Sequence, residues 1–197
     1  IGFEPNTNEF NKLKESSNKK FFNYAIGDGK KQTLNICKAP GMSSILKPNI
    51  NYNKMFHKFD EWGEIINSTE IITKKLDDIE YNEDFDLIKI DVQGYESEII
   101  KYGQNKIRKS LVVQVETSPV PSYYNGKPFS FVSQQLESLG FHLNMFLKID
   151  TRSFRPMLIQ NNIYDGLKYP YQLDCVFVKN FDEIDKLNEE NLKKLIL

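Results

Sequence analysis

The sequence is poor in cysteine, has no long apolar run and carries no excess charge of either sign. Its two cysteines, Cys37 and Cys175, lie far apart and outside any CxxC or metal-ligand spacing, a pattern that favours two buried thiols in a reducing cytoplasm. No run of about 18 apolar residues is present, so the sequence predicts no membrane-spanning helix. The polar residues after Pro5 do not resemble a signal peptide. We therefore expect a cytoplasmic protein without a membrane partner.

The balance of charge argues against nucleic acid as a partner. The chain has 26 basic and 27 acidic residues, and its formal net charge is -1. Proteins that bind nucleic acids or anionic membranes usually carry a basic excess that supplies the attraction. We expect no such partner, and the composition does not indicate an oligomeric state.

Length and composition predict one globular domain over residues 1–197. The chain is 40% hydrophobic and 13% aromatic, and it is long enough to bury the core of a sheet of about five to seven strands. Short apolar runs alternate with stretches of helical periodicity, which favours a sheet with helices on both faces. Two apolar runs near the end, Phe141–Leu147 and Leu173–Val178, have no helical pattern between them and predict an antiparallel pair.

The segment Phe85–Glu96, FDLIKIDVQGYE, is the most informative part of the chain. An apolar strand ends on Asp91 and turns through Gly94 into a helix. Ligands of open α/β sheets bind at the carboxyl ends of parallel strands, so Asp91 is a candidate site residue. The alternative is that Asp91 only caps the helix that follows. Glu116 ends the next apolar strand in the same way, and it either borders a site or bonds to nearby backbone amides.

A second acid follows a short apolar strand at the start of the chain. Ile1–Phe3 ends on Glu4, and Pro5 and Asn6 follow. An acid at the end of a second strand is placed to accept hydrogen bonds from ribose hydroxyls. Glu4 therefore predicts nucleoside binding, and the alternative is an exposed edge acid.

Two further segments carry weaker predictions. Gly27 and Asp28 close the strand Phe21–Ile26, and a hairpin turn to Gln32–Cys37 explains both residues. The polar stretch 38–68 predicts a long irregular loop that carries His57, which loop movement would bring over a site as a general base. A solvated histidine is the alternative. The stretch 150–172 predicts a second long loop of mixed aromatic and basic residues, Lys168 among them.

Five motifs occur in an order that resembles the FkbM family of S-adenosylmethionine-dependent methyltransferases, which mostly act on hydroxyl oxygens. The motifs are FEPN at Phe3–Asn6, NYAIGD at Asn23–Asp28, KKLDDI at Lys74–Ile79, LIKIDVQGYE at Leu87–Glu96 and VVQVE at Val112–Glu116. The resemblance covers Ile1 to roughly Lys179. It implies a Rossmann-like class I methyltransferase fold, with three α/β/α layers and a mostly parallel sheet that ends in an antiparallel strand pair. The first strand and the glycine-rich turn of the family are missing, so we expect these residues to be part of a longer protein.

The resemblance also implies a cofactor site and an acceptor. Glu4 would bind the ribose of S-adenosylmethionine, with Pro5 and Asn6 shaping the turn beside it. The adenine would contact Ala25, Ile26 and Gly27, with Asp28 as a partner for its amine. Asp91 would lie at the methionine end. Gln93 stands where the family usually has glutamate, which puts in doubt any role that needs a carboxylate there.

Methyl transfer needs alignment and a group that accepts the hydroxyl proton. Asp91, Glu116 and His57 are the catalytic candidates, and no HxxE or DxD-like cluster calls for a metal. The acceptor would be a small molecule or a glycan. Two alternatives are a nucleotide-dependent oxidoreductase, against which the antiparallel final pair argues, and a catalytically silent Rossmann-like domain that only binds a partner.

Overall fold

A computed structural model of the protein describes residues 1–14, 16–81, 84–164 and 169–196. The strands are β1 Gly2–Phe3, β2 Phe21–Phe22, β3 Ala25–Ile26, β4 Lys31–Cys37, β5 Ile65–Lys74, β6 Leu87–Ile90, β7 Val112–Thr117, β8 Phe141–Thr151 and β9 Pro170–Lys179. The α-helices are α1 Thr7–Phe10, α2 Ile50–Asn53, α3 Phe59–Trp62, α4 Glu96–Lys101, α5 Gln104–Lys109, α6 Phe129–Ser138 and α7 Glu189–Ile196. Short 3-10 helices cover Pro40–Met42, Leu76–Asp78 and Phe181–Lys186.

The largest sheet has the strand order β6-β7-β9-β8. Strands β6 and β7 are parallel, whereas β9 lies antiparallel between β7 and β8. The predicted antiparallel final pair is therefore confirmed. Strand β7 alternates buried Val113 and Val115 with half-buried Gln114 and Glu116, so only one of its faces turns to the core.

Two smaller sheets precede it in the chain. The strand order of one of them shows that the predicted hairpin is wrong. Strand β5 lies between β3 and β4, parallel to β3 and antiparallel to β4, so Gly27 and Asp28 do not connect two paired strands. Strands β1 and β2 form a separate parallel pair. Parallel and antiparallel pairings are thus equally frequent among the described strands, and the fold is mixed α/β.

The main core lies between the largest sheet and the helices α4 and α6, which contact each other. Apolar side chains of all these elements are buried there, and Phe3 of β1 packs against them. Removing this apolar surface from water is the main stabilising contribution to the fold.

A second cluster joins the two stretches predicted to be long loops. It contains the buried rings of Tyr52, Phe56, Phe59 and Tyr171. The first stretch is less irregular than predicted, because it folds into α2, α3 and the start of β5. Lys168 of the second stretch lies outside the described residues. In the part of the chain that the structure describes, no helix has the length and apolarity to cross a bilayer.

Candidate functional site

Asp91 and Glu116 lie next to each other because their strands are parallel neighbours. Ile90 of β6 is in register with Val115 of β7, so the residues that follow, Asp91 and Glu116, emerge at the same end of the sheet. The side-chain amide of Gln93 connects them: Nε2 donates to Asp91 Oδ1 at 2.9 Å and to Glu116 Oε1 at 3.0 Å. The structure therefore brings together three of the residues that the sequence singled out.

The turn after Asp91 shows that this residue does not cap helix α4. The backbone amides of Val92 and Gly94 donate to Glu96 Oε1, at 3.3 Å and 2.9 Å. The Asp91 carboxylate instead faces Gln93 and Lys89, whose Nζ lies 3.4 Å away. The capping alternative is wrong, because Glu96 provides the acceptor for the turn and leaves Asp91 at the strand end.

Burial raises the proton affinity of two acids at this end of the sheet. Glu96 is only 3% exposed, and burial raises its pKa to about 7, although hydrogen bonds from the backbone amides of Glu96, Gly94 and Val92 lower it. The pKa of Glu116 is also raised to about 7, first by burial and then by the negative charge of Asp91. Near neutral pH, Glu116 is therefore poised to accept or release a proton.

These acids line a cleft of about 300 Å³. Aromatic residues line it as well. The lining includes the acids Asp91, Glu96 and Glu116 and the aromatic residues Phe59, Tyr123 and Tyr171. Because the second aromatic cluster supplies Phe59 and Tyr171, the two stretches predicted as loops form a wall of the cleft.

Sequence reasoning missed Tyr123 and Ser44. The Tyr123 hydroxyl lies 3.1 Å from Gln93 Oε1 and 3.1 Å from the carbonyl oxygen of Met42. Ser44 is 3% exposed and donates through Oγ to the carbonyl oxygen of Gln93 at 2.7 Å. Both residues are far from Gln93 in sequence, and neither belongs to a pattern that indicates this contact.

Glu4 ends β1 as predicted, in a turn of its own. Its Oε1 accepts from the backbone N–H of Asn6 at 2.8 Å, and its carbonyl oxygen accepts from Asn23 Nδ2. Pro5 is half-buried and Asn6 is exposed. Glu4 is not among the described residues that line the acidic cleft or its neighbour.

Asp28 is engaged within the turn that follows β3. Its Oδ1 accepts from the backbone N–H of Lys30 and the hydroxyl of Thr73, both at 3.1 Å, and its Oδ2 accepts from Gln32 Nε2 at 2.9 Å. The carboxyl is buried, which alone would raise its pKa, but these hydrogen bonds hold the pKa below its usual value. Gly27 is also needed here, because a Cβ atom would lie 2.8 Å from the Thr73 side chain.

A second cleft connects this turn to the acids. It has a volume of about 280 Å³ and shares Gly94 and Lys127 with the first cleft. Gln32, which binds Asp28, lines it, and so does Tyr95, whose pKa the charge of Asp28 helps to raise. The segment Ala25–Asp28, in which Ala25 is buried and Ile26 half-buried, therefore approaches the turn after Asp91.

His57 is held away from the acids. Its Nε2 lies 2.8 Å from the carbonyl oxygen of Met157, which can only accept, so this nitrogen carries a proton. His57 is not one of the described residues that line the two clefts. Among the described residues, no group of three or more histidine, cysteine or acidic side chains is arranged to hold a metal ion.

Comparison with known proteins adds one match. The family model described as the methyltransferase FkbM domain matches residues 1–143, which include Glu4, the turn at Asp28 and the Asp91–Glu116 pair. No curated protein and no solved structure matches the chain.

Proposed function

Because the chain belongs to the FkbM methyltransferase family, we propose that it transfers a methyl group from S-adenosylmethionine to a hydroxyl oxygen of a small molecule or glycan. The observation that carries this proposal is the pair Asp91 and Glu116, held side by side in a cleft at the ends of parallel strands. A hydroxyl must lose its proton as its oxygen is methylated, and this pair supplies an acceptor for that proton.

The acidic side chains of the site suit the positive charge of the cofactor. S-adenosylmethionine supplies a methyl group activated by a positively charged sulfur, and the cleft presents three carboxylates to such a cation. Asp91 would hold the methionine end beside Gln93. Glu4 would hold the ribose, because the bond from the backbone N–H of Asn6 to its Oε1 fixes the carboxylate at the end of β1. Pro5 and Asn6 shape that turn.

The adenine would bind beside the turn that follows β3. Ala25, Ile26 and Gly27 would contact the ring, and Asp28 fixes the turn that presents them. The neighbouring cleft, which Gln32 and Tyr95 line, supports this placement because it shares Gly94 and Lys127 with the acidic cleft.

The chain's own residues would orient the acceptor and receive its proton. Glu116 has a pKa of about 7, so its carboxylate takes a hydroxyl proton at neutral pH. Three aromatic residues that line the cleft, Phe59, Tyr123 and Tyr171, would pack against the acceptor and exclude water. His57 would act only after a movement that breaks its bond to Met157.

We also propose the finer description of the fold, a Rossmann-like sheet in one domain. The strand order β6-β7-β9-β8 with its antiparallel final pair supports this description and argues against an oxidoreductase. Strand β6 pairs with β7 alone among the described strands. Two free buried thiols, Cys37 and Cys175, support a cytoplasmic location. We propose no nucleic-acid or membrane partner.

Calorimetric titration of the full-length protein with S-adenosylhomocysteine tests the proposal. We expect a dissociation constant below about 1 mM, and about tenfold weaker binding in Glu4→Gln. Glu9→Gln is the matched control, because Glu9 is an exposed acid of the neighbouring helix that pairs with Lys12 on the surface. Absence of binding in the unmodified protein would favour the silent binding domain.

A further inference from the structure

The side-chain amide of Gln93 is a donor that Asp91 and Glu116 share. Its two N–H groups point to one carboxylate each, at 2.9 Å and 3.0 Å. Its Oε1 lies 3.1 Å from the Tyr123 hydroxyl, which donates to it. This network fixes the orientation of the amide, since the reverse orientation would set Oε1 against two carboxylates.

The backbone of Gln93 is held in an unfavourable conformation to make these contacts. Its φ is 54°, in the left-handed region that residues with a Cβ atom seldom adopt. Two buried contacts secure it: the Ser44 hydroxyl on its carbonyl oxygen and the Tyr123 hydroxyl on its side chain. Strain of this kind persists where the surroundings determine the conformation, and it is concentrated at functional sites.

The charges around Glu116 show why an amide matters at position 93. Asp91 and Glu96 both act on Glu116 with negative charge, and the hydroxyl of Tyr123 lies near it. The cations of this region are Lys89, which reaches Asp91, and Lys127, which lines the cleft. Burial, the charge of Asp91, a side-chain hydrogen bond with Asp91 and the charge of Glu96 raise the pKa of Glu116, whereas the hydrogen bond from Gln93 lowers it and so stabilises the ionised form.

We propose that Gln93 is a positioning residue that holds the carboxyl groups of Asp91 and Glu116 side by side and favours the ionised form of Glu116, and that it thereby makes Glu116 the acceptor of the substrate's hydroxyl proton. This inference rests on the proposed methyl transfer. In that reaction the O–H bond of the acceptor breaks and its proton goes to Glu116. The acceptor oxygen gains the methyl group as the methyl–sulfur bond breaks, so the products are a methyl ether, S-adenosylhomocysteine and protonated Glu116.

Two substitutions of Gln93 separate this role from a purely structural one. Gln93→Glu keeps the length of the side chain but replaces the donor with a third acid beside the pair. Gln93→Asn keeps the amide, and asparagine tolerates the left-handed conformation better, but its side chain is one methylene too short to bridge the pair. We therefore expect Gln93→Asn to keep the fold intact while the bridge is lost.

The readout is the Glu116 carboxyl pKa, followed by NMR titration with carboxyl-labelled glutamate and assigned through Glu116→Gln. We expect the pKa to rise by about one unit in Gln93→Asn and by more than one unit in Gln93→Glu. The acid side of the pH–rate profile should move to higher pH by the same amounts, with turnover at pH 7 at least about fivefold slower in Gln93→Glu.

Each outcome decides the inference. An unchanged pKa in both variants, or a shifted pKa with an unmoved rate profile, overturns it. Failure of the proposed function has a different signature, because a protein that does not bind S-adenosylhomocysteine would still show the pKa shifts.

Discussion

The backbone of Gly94 packs directly on the ring of Tyr123. A Cβ atom at position 94 would lie 2.8 Å from Tyr123 Cδ2, and the φ of Gly94 is +93°. The ring that restricts position 94 also carries the hydroxyl that orients Gln93. The turn after Asp91 therefore depends on a glycine for two independent reasons.

We expect Gly94→Ala to destabilise the protein by about 1 to 3 kcal/mol, because alanine meets both the left-handed backbone and the Tyr123 ring. Gly41→Ala is the matched control, since Gly41 lines the same cleft but a Cβ atom added there would have no other atom within 4 Å. Its effect should stay within about 0.5 kcal/mol. Urea unfolding followed by circular dichroism measures both values, and equal effects would contradict the role of the ring.

Replacement of Glu116 by Gln should abolish the proton acceptor while it preserves the shape of the side chain. We expect turnover to fall by about 100-fold or more, with little change in S-adenosylhomocysteine binding. Asp174→Asn is the control, because Asp174 lies opposite Glu116 in the β7–β9 ladder and binds Gln114 outside the cleft. Comparable losses of turnover in the two variants would show that Glu116 contributes to the structure of the sheet and not to proton transfer.

Glu96 should make stability depend on pH. Its usual pKa of 4.5 is raised to about 7 in the folded protein, so the folded state holds the proton more tightly than the unfolded state. This contribution is fully present below pH 4.5 and is lost as the pH rises toward 7. Between these limits, wild type should lose up to about 3 kcal/mol of stability relative to Glu96→Gln. Urea unfolding of both proteins from pH 4 to 8 measures the difference, and a constant difference would refute the assignment.

Asp28 should give stability the opposite pH dependence, because its contribution is lost when the pH falls rather than when it rises. Its pKa lies below the usual 3.8, so its stabilising effect is present above that value and is lost as the pH falls through the folded pKa. At pH 7 we expect Asp28→Asn to cost about 1 to 2 kcal/mol, because the amide loses the bond from Gln32.

Thr73→Val is the control for Asp28, since it disturbs the same turn without removing the carboxylate. If Asp28 only fixes the turn, both variants lose stability and bind S-adenosylhomocysteine with similar affinity. Weaker binding in Asp28→Asn alone, measured by calorimetry, would show that the carboxylate itself contacts the adenine.

The sequence by itself determined the elements of the carboxyl-terminal half and the acids at their ends. Apolar runs identified β6, β7 and the antiparallel pair β8 and β9, and the position of Asp91 and Glu116 at the ends of neighbouring strands made both of them candidate site residues. This is possible because strand periodicity and the direction of a parallel pair are local properties of the chain.

Only the tertiary structure decided which side chains complete the site. The insertion of β5 between β3 and β4 replaced the predicted hairpin, and the contacts of Ser44 and Tyr123 with Gln93 join segments distant in sequence. The same holds for His57, which the fold places on Met157 rather than beside the acids. Strand partners and long-range hydrogen bonds arise from the packing of whole elements, and no local pattern of residues encodes them.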